Sequence, residues 1–298
     1  MSEAAGGAPD REVGSFSDQA PWPVDPAAMP WRQALPAARA ATAAELDRAR
    51  RRGPLPPVGR LGRTVASLSW AVARWSRAGR RAGGPDSVAD LSRRLRLAAE
   101  SLGPTYVKLG QIISAGEGIF PPELVDEFRL CRDQVPPEPF AVVRRVVEED
   151  LGRPLEEVFA HLDVQPLAAA SIAQVHRAVL RSGEDVVVKV QRSTVARRVR
   201  ADLRVMSWLA PLLVGRIPVA SLANPPALVD LFAETISEEL DFRIEAQNML
   251  DVARSLAELD QRGYVVPRPH PELVTRRVLV MERLEGFKFD DVAGMRAG

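Results

Sequence analysis

Of the 40 basic residues in the chain, only Lys108, Lys189 and Lys288 are lysines; the rest are arginines. A lysine carries a compact ammonium on a flexible stem, where arginine offers a rigid planar fork, so a surviving lysine can mark a site that needs a point charge. Lys189 lies in Asp185-Val-Val-Val-Lys189-Val-Gln191, a β-branched run that reads as a strand. Side chains alternate along a strand, so Val187, Lys189 and Gln191 share one face and valines fill the other. An unpaired ammonium in such surroundings costs on the order of several kcal/mol. Either Lys189 sits at a strand edge in water, or it has an anionic partner and takes an anionic ligand. The scarcity of lysine favours the second.

A partner is available downstream. A helix predicted over 226–261 places Glu234, Glu238, Asp241 and Glu245 along one stripe at i, i+4, i+7 and i+11. Four carboxylates bunched in this way mark a solvated face, or a face with cations or metals opposite. A strand lysine followed by a helix glutamate is also how kinase small lobes orient a phosphate-binding lysine. Ahead of the strand runs Pro166-Leu-Ala168-Ala169-Ala170-Ser171-Ile-Ala173-Gln174-Val-His176, whose small residues let backbone amides approach an anion. Kinases use a glycine-rich loop there. Alanine has less φ freedom, which predicts a stiffer, more nearly helical loop. A third group is Gly103-Pro-Thr-Tyr-Val-Lys108-Leu-Gly110-Gln111. Lys108 and Gln111, three apart, share a helical face. Gly110 costs roughly 1 kcal/mol against alanine, which makes sense where another backbone passes close.

The elements that must hold these residues follow from periodicity. Residues 1–60 are rich in Ala, Pro and Gly without a sustained apolar period, which predicts a disordered leader with a short helix near 37–52. Leu61, Val65, Leu68, Val72 and Trp75 line one face of an amphipathic helix inside a run, 48–81, with ten arginines and no acid. That run suits an anionic membrane surface or, as the favoured reading, a packed helix with a solvated arginine face. Further helices are predicted at 87–102, 105–114, 122–133, 140–151 (capped by Gly152) and 193–213. Strands at 174–180 and 185–191 form a hairpin, and short strands follow at 264–267 and 277–282.

Composition bounds the function. Hydrophobic residues at 46% and charged residues at 27% describe a globular chain. A formal charge of +1 excludes a nucleic-acid binder that works by bulk charge. Cys131 is the single cysteine, so neither a disulfide framework nor a multi-cysteine metal site is available. No run nears the ~18 apolar residues of a membrane span, and no basic, then apolar, secretory pattern opens the chain. A cytoplasmic location is the expectation.

The strings Leu102-Gly-Pro-Thr-Tyr-Val-Lys108-Leu-Gly110-Gln111, Pro121-Pro-Glu-Leu, Asp133-Gln-Val-Pro136, Ala168-Ala-Ala-Ser-Ile-Ala-Gln-Val-His176, Val188-Lys189-Val-Gln191 and Glu239-Leu-Asp241-Phe-x-x-Glu245-Ala together resemble the UbiB/AarF (aarF-domain-containing kinase) family of atypical kinases. The likeness holds in order and spacing over residues 90–290. It implies an α+β fold: a protein-kinase-like small lobe (antiparallel sheet plus helix C) at 153–298, behind an N-terminal helical extension at 61–152 that carries the KxGQ motif. Lys189 would then be the ATP-binding lysine, oriented by Glu245 on helix C. Ala168, Ala169, Ala170 and Ser171 would cover the phosphates. Lys108 and Gln111 would fold over the site, with Lys108 facing Glu239 and Asp241 of the ExD motif. Val280 to Leu284, including Glu282, would be the last strand and hinge, whose backbone takes the adenine edge.

The family is tied to isoprenoid quinone biosynthesis and lipid homeostasis. The resemblance thus implies ATPase or small-molecule kinase activity and a lipid or quinone precursor as partner; the basic run 48–81 adds the expectation of a peripheral place at the inner face of a membrane. Three departures stand out. Ala173 replaces a common Gly, and Ser114-Ala-Gly-Glu-Gly118 replaces an Arg- and Asp-bearing stretch. The third is that the sequence stops just past the hinge, before a catalytic loop. His161-Leu-Asp163 is the only H-x-D string, and Ala168, not Asn, lies five residues on. No metal ligand is assigned, Mg2+ is expected only with a large lobe absent from this sequence, and no ATP turnover is expected of the chain alone. The alternative is a non-catalytic, membrane-associated regulator that binds nucleotide or lipid.

Overall fold

The computed structural model describes residues 14–18, 20–50, 56–78, 84–131, 135–214, 224–261 and 263–286. Asp133, Lys288 and parts of the basic run 48–81 lie outside them. The helices are α1 (Pro30–Gln33), α2 (Leu35–Arg50), α3 (Val58–Ala78), α4 (Gly84–Leu102), α5 (Pro104–Ser114), α6 (Pro122–Arg129), α7 (Phe140–Leu151), α8 (Leu155–Val158), α9 (Val195–Leu213), α10 (Pro225–Glu238) and α11 (Phe242–Glu258). The strands are β1 (Phe159–Leu162), β2 (Ala168–Ala169), β3 (Ala173–Leu180), β4 (Asp185–Gln191), β5 (Pro269–Val274) and β6 (Val278–Glu282). None of the described helices is long and apolar enough to cross a membrane.

The strands make one antiparallel sheet in the order β1-β3-β4-β6-β5, with β2 also pairing to β3. The valine-rich β4 is central, and Lys189 lies opposite Val175 on one side and Leu279 on the other. One face of the sheet, through Ala178, Val186, Val188, Val190, Val278 and Val280, packs with Val143, Val146 and Val147 of α7. That helix stops at Gly152, whose φ of 68° is the left-handed conformation a glycine cap supplies. Ile172, Ala173, Val274 and Leu279 belong to the second core, with α4, α5, α9, α10 and α11. The mixed helical and antiparallel architecture, and the β3–β4 hairpin within it, agree with the sequence reading.

Four readings change. Residues 14–18 and 20–50 are not a disordered leader. Trp22, Val24, Met29, Trp31, Leu35 and Ala38 are buried, Asp25 caps a 3-10 turn (Pro26–Ala28), and Pro30 opens α1. A strap that crosses several elements buries side chains at irregular intervals, so its sequence shows no period. The helix over 226–261 is two helices, because α10 ends at Glu238 and Asp241 caps α11 with its side chain. Residues 264–267 form no strand: Val266 N–H bonds to Ser15 O at 3.0 Å, and Pro267 has no N–H to give. The strand comes later, as β5, where Pro269 and Pro271 are tolerated because β5 is the sheet's edge. Finally, α3 buries Thr64 and Ala71 and leaves Val65 and Val72 exposed. Small residues let α4 approach, and Trp75 Nε1 seals the contact on Ser87 O at 2.9 Å.

Candidate functional site

The central strand and α11 bring the first pair together. Lys189 Nζ lies 2.5 Å from Glu245 Oε1, with the two side chains 23% and 33% exposed. The ammonium also stands 5.0 Å from the centroid of the buried Phe242 ring, within cation–π range. Lys189 is therefore held by a carboxylate and an aromatic face, and is not loose in water. An ammonium has three donors, so this pairing leaves donors for an anionic ligand. The start of α11 is fixed from several sides. Asp241 Oδ1 accepts from Arg243 N–H at 3.1 Å, and Phe242 N–H bonds to Arg276 O at 3.0 Å.

The break between α10 and α11 creates the second pair. Lys108 Nζ on α5 meets Glu239 Oε1 at 2.9 Å. The other oxygen of Glu239, Oε2, is buried and has no hydrogen-bond partner among the described residues. Asp241 does not join this pair. Its carboxylate caps α11 and grips the Arg243 guanidinium, with Nη2 to Oδ2 at 2.6 Å. The four-carboxylate stripe is accordingly divided between two helices. Lys108, Gln111 and Ile112 line a cleft of about 180 Å3 against Phe232, Thr235 and Glu239 of the facing segment. Gly103, at φ 107°, turns the chain into α5 with a backbone that only glycine adopts readily. Gly110 is needed for packing, but against a ring and not a backbone: a Cβ there would overlap Phe128 and press on Cys131 Sγ. Burial pushes the Cys131 thiol up to about 11, which makes it a poor nucleophile.

The alanine segment is extended, not near-helical. Ala168 and Ala169 pair with Val175 and Gln174 of β3, and Ala170 N–H closes a tight turn on Ala173 O at 2.8 Å. Ser171 is buried. Arg192 was not foreseen. It bonds Ala170 O at 2.9 Å through Nε, and Val135 O and Pro136 O at 3.1 and 3.0 Å through Nη2, tying the turn to the segment before α7. Its place just beyond Gln191 at a strand end was the available signal. Glu282 is committed internally. Its carboxylate accepts from Arg268 Nη1 and N–H at 3.1 Å each and from Ser17, and its own N–H bonds to Arg268 O at 2.8 Å. Leu284 is 39% exposed. No group of three or more potential metal ligands occurs among the described residues.

An antiparallel sheet whose middle strand offers a lysine to a glutamate on a packed helix is consistent with a kinase-like fold. The profile of the ABC1 atypical kinase-like domain matches residues 130–298, and the chain belongs to that family. It is 38% identical over 208 residues to a probable protein kinase UbiB of Vibrio vulnificus, covering 70% of this chain and 38% of that protein. An aarF-domain-containing protein kinase of Arabidopsis thaliana, described as chloroplastic, is 40% identical over 205 residues, 68% of this chain and 38% of its own. An uncharacterized protein of Mycobacterium tuberculosis is 43% identical over 199 residues, 65% and 40% of the two chains. The chain spans about two fifths of the length of these relatives.

Proposed function

We propose that the chain is the ATP-binding small-lobe portion of a UbiB-type kinase or ATPase, with a helical extension packed at its site. The observation that carries this reading is the Lys189–Glu245 pair. Its ammonium keeps donors for a nucleotide phosphate, and the pair matches the lysine–glutamate pair on which kinase phosphate binding depends. In this reading Lys189 contacts phosphate and Glu245 aims it. The turn Ala168–Ser171, braced by Arg192, lies over the phosphates, and the backbone at Arg283 and Leu284 offers the adenine contact, since the N–H of Glu282 is already used. The Lys108–Glu239 pair anchors the extension beside the site. Magnesium would supply charge neutralisation at the phosphates. By family, the chemistry served is isoprenoid quinone biosynthesis or lipid homeostasis, with a lipid or quinone precursor as the acceptor class.

The test is thermal unfolding of the full chain with and without ATP and magnesium. ATP should raise the melting temperature. Lys189→Ala should abolish that rise, while Arg145→Ala, at an exposed helical position, should keep it. Equal responses in the two variants would refute the nucleotide site.

A second reading, a membrane-associated regulator, is favoured by α3, which exposes Val65, Val72 and Trp70 beside arginine-rich sequence, with Arg74 5.8 Å over the Trp70 ring. It predicts co-sedimentation with anionic vesicles that falls on Val65→Asp/Val72→Asp. Binding that ignores the acidic lipid fraction would count against it.

A further inference from the structure

The strap formed by residues 14–18 and 20–38 lies outside the family match, which begins at residue 130, yet it bonds to α11, which carries Glu245, and to β5 and β6 on the sheet that carries Lys189. At its start, Ser15 N–H bonds to Ala253 O on α11 at 2.8 Å, and Ser15 Oγ bonds to Tyr264 O at 2.5 Å. Ser17 O and Oγ hold the Arg268 guanidinium at 2.6 and 2.7 Å, and Oγ also donates to Glu282 at the end of β6. Trp22 Nε1 bonds to Pro269 O on the edge strand at 3.1 Å. Further on, Met29, Trp31 and Leu35 enter the same core as Phe242, Ile244, Ala246 and Leu250 of α11. Arg32 then grips the helix directly, with Nε 2.8 Å from Gln247 Oε1, while its Nη1 ties back to Pro26 O at 2.5 Å.

The geometry of α11 gives this contact its meaning. Gln247 follows Glu245 by two residues, about 200° around the helix, so the two side chains leave from opposite faces. Glu245 faces β4 and holds Lys189. Gln247 faces the strap and holds Arg32, and its amide nitrogen also donates to Asp251 at 2.9 Å, which fixes the amide's orientation. A helix gripped on its back at this level cannot roll or slide without breaking the Arg32 bond or the Lys189 pair.

We propose that residues 14–18 and 20–38 act in cis as a clamp on α11, with Arg32 as the positioning residue that keeps Glu245 in register with Lys189. The effect on nucleotide rests on the function proposed above; the effect on the helix does not.

The test uses the full chain and four variants: Arg32→Ala; Gln247→Ala, which breaks the same contact from a helix position that accepts alanine; Arg32→Lys as the conservative rescue; and Arg39→Ala as an exposed control on α2, one residue past the strap. Hydrogen exchange of the amides from Ile244 to Leu250 should speed up in Arg32→Ala and Gln247→Ala, recover in Arg32→Lys, and stay unchanged in Arg39→Ala. Affinity for ATP should fall about fivefold in the first two, the order of one net hydrogen bond. That loss should vanish in a Glu245→Gln background, where there is no pair left to position. A purely structural contact would give the same loss in both backgrounds, and that result, or unchanged exchange, overturns the clamp. Should the parent chain fail to bind ATP any better than Lys189→Ala, the nucleotide reading falls. The exchange measurement then decides the clamp alone, faster exchange in Arg32→Ala than in Arg39→Ala supporting it and equal exchange refuting it.

Discussion

An ammonium between a carboxylate and an aromatic ring is steadied without being consumed, and most of what this chain could do with a phosphate depends on that. Removing the charge of Glu245 should leave the fold intact, since a partly exposed ion pair adds ~1 kcal/mol at most. It should nevertheless weaken ATP binding, because Lys189 loses its aim. The prediction is that Glu245→Gln unfolds at nearly the parent temperature but binds ATP at least fivefold more weakly in equilibrium titration. Gly110 works by omission. Adding a methyl group against the Phe128 ring should cost about 1–3 kcal/mol, the usual range for overpacking. Gly110→Ala should therefore melt several degrees lower, and its loss should be smaller in a Phe128→Leu background. Lys189 was legible in the sequence because an ammonium among valines has few places to go. Gly110 was legible only as a need for space; whether a ring or a backbone filled it depends on α6, which the local sequence does not reveal. Phe242 and Arg192 were missed, because a phenylalanine reads as core and an arginine in this composition reads as surface.

Elements formed by neighbouring residues were the easiest to read. The β3–β4 hairpin follows from two β-branched runs and a turn, all within one short stretch. The division between α10 and α11 was hidden because the acidic spacing continues in phase across it, and only Asp241, a good N-cap ahead of Phe242, marks the new start. The packed face of α3 was hidden for another reason. The largest apolar residues predicted the contact, whereas Thr64, Ala71 and Arg60 make it. Arg60 Nη2 bonds to Leu102 O at 2.7 Å and to Asp202 Oδ2 at 2.8 Å, and the Asp202 side chain is fully buried. This one residue ties α3 to α4 and α9. Arg60→Ala would strand a buried carboxylate, so the chain should lose about 3–5 kcal/mol in chemical denaturation. Asp202→Asn in the same background should recover part of that loss, and no recovery would mean that the guanidinium matters through packing alone.

At the scale of the whole molecule, the strap is what the sequence concealed. Its buried residues Trp22, Met29 and Trp31 follow the path of a segment laid over a sheet edge and a helix, and such a path has no repeat to detect. The strap also shapes the acid response of the chain. The Trp22 ring packs tilted against His270, centroids 4.9 Å apart, and His270 Nδ1 accepts the N–H groups of Glu272 and Leu273 at 3.0 and 3.1 Å, which holds the neutral ring. Burial pulls the His270 pKa from 6.5 down to about 4. Below pH 6.5 the unfolded chain takes up a proton that the folded chain refuses, so stability should fall steadily towards pH 4 and not change further through this group. Buried His176, also shifted down by burial, acts in the same direction. His270→Asn keeps an acceptor for the two N–H groups but cannot titrate. Its melting temperature should drop less between pH 7 and pH 4.5 than that of the parent, and an identical drop would remove His270 from the account.

With only three lysines in the chain, the central claim can be watched at a single atom. Lysine labelled with 13C at Cε should give three resolvable signals, assigned by Lys→Arg replacement. On titration with ATP and magnesium, the Lys189 signal should move saturably, and Glu245→Gln should blunt that movement. If the Lys189 signal stays still at ATP concentrations that saturate any other response of the chain, Lys189 is not the phosphate-binding group.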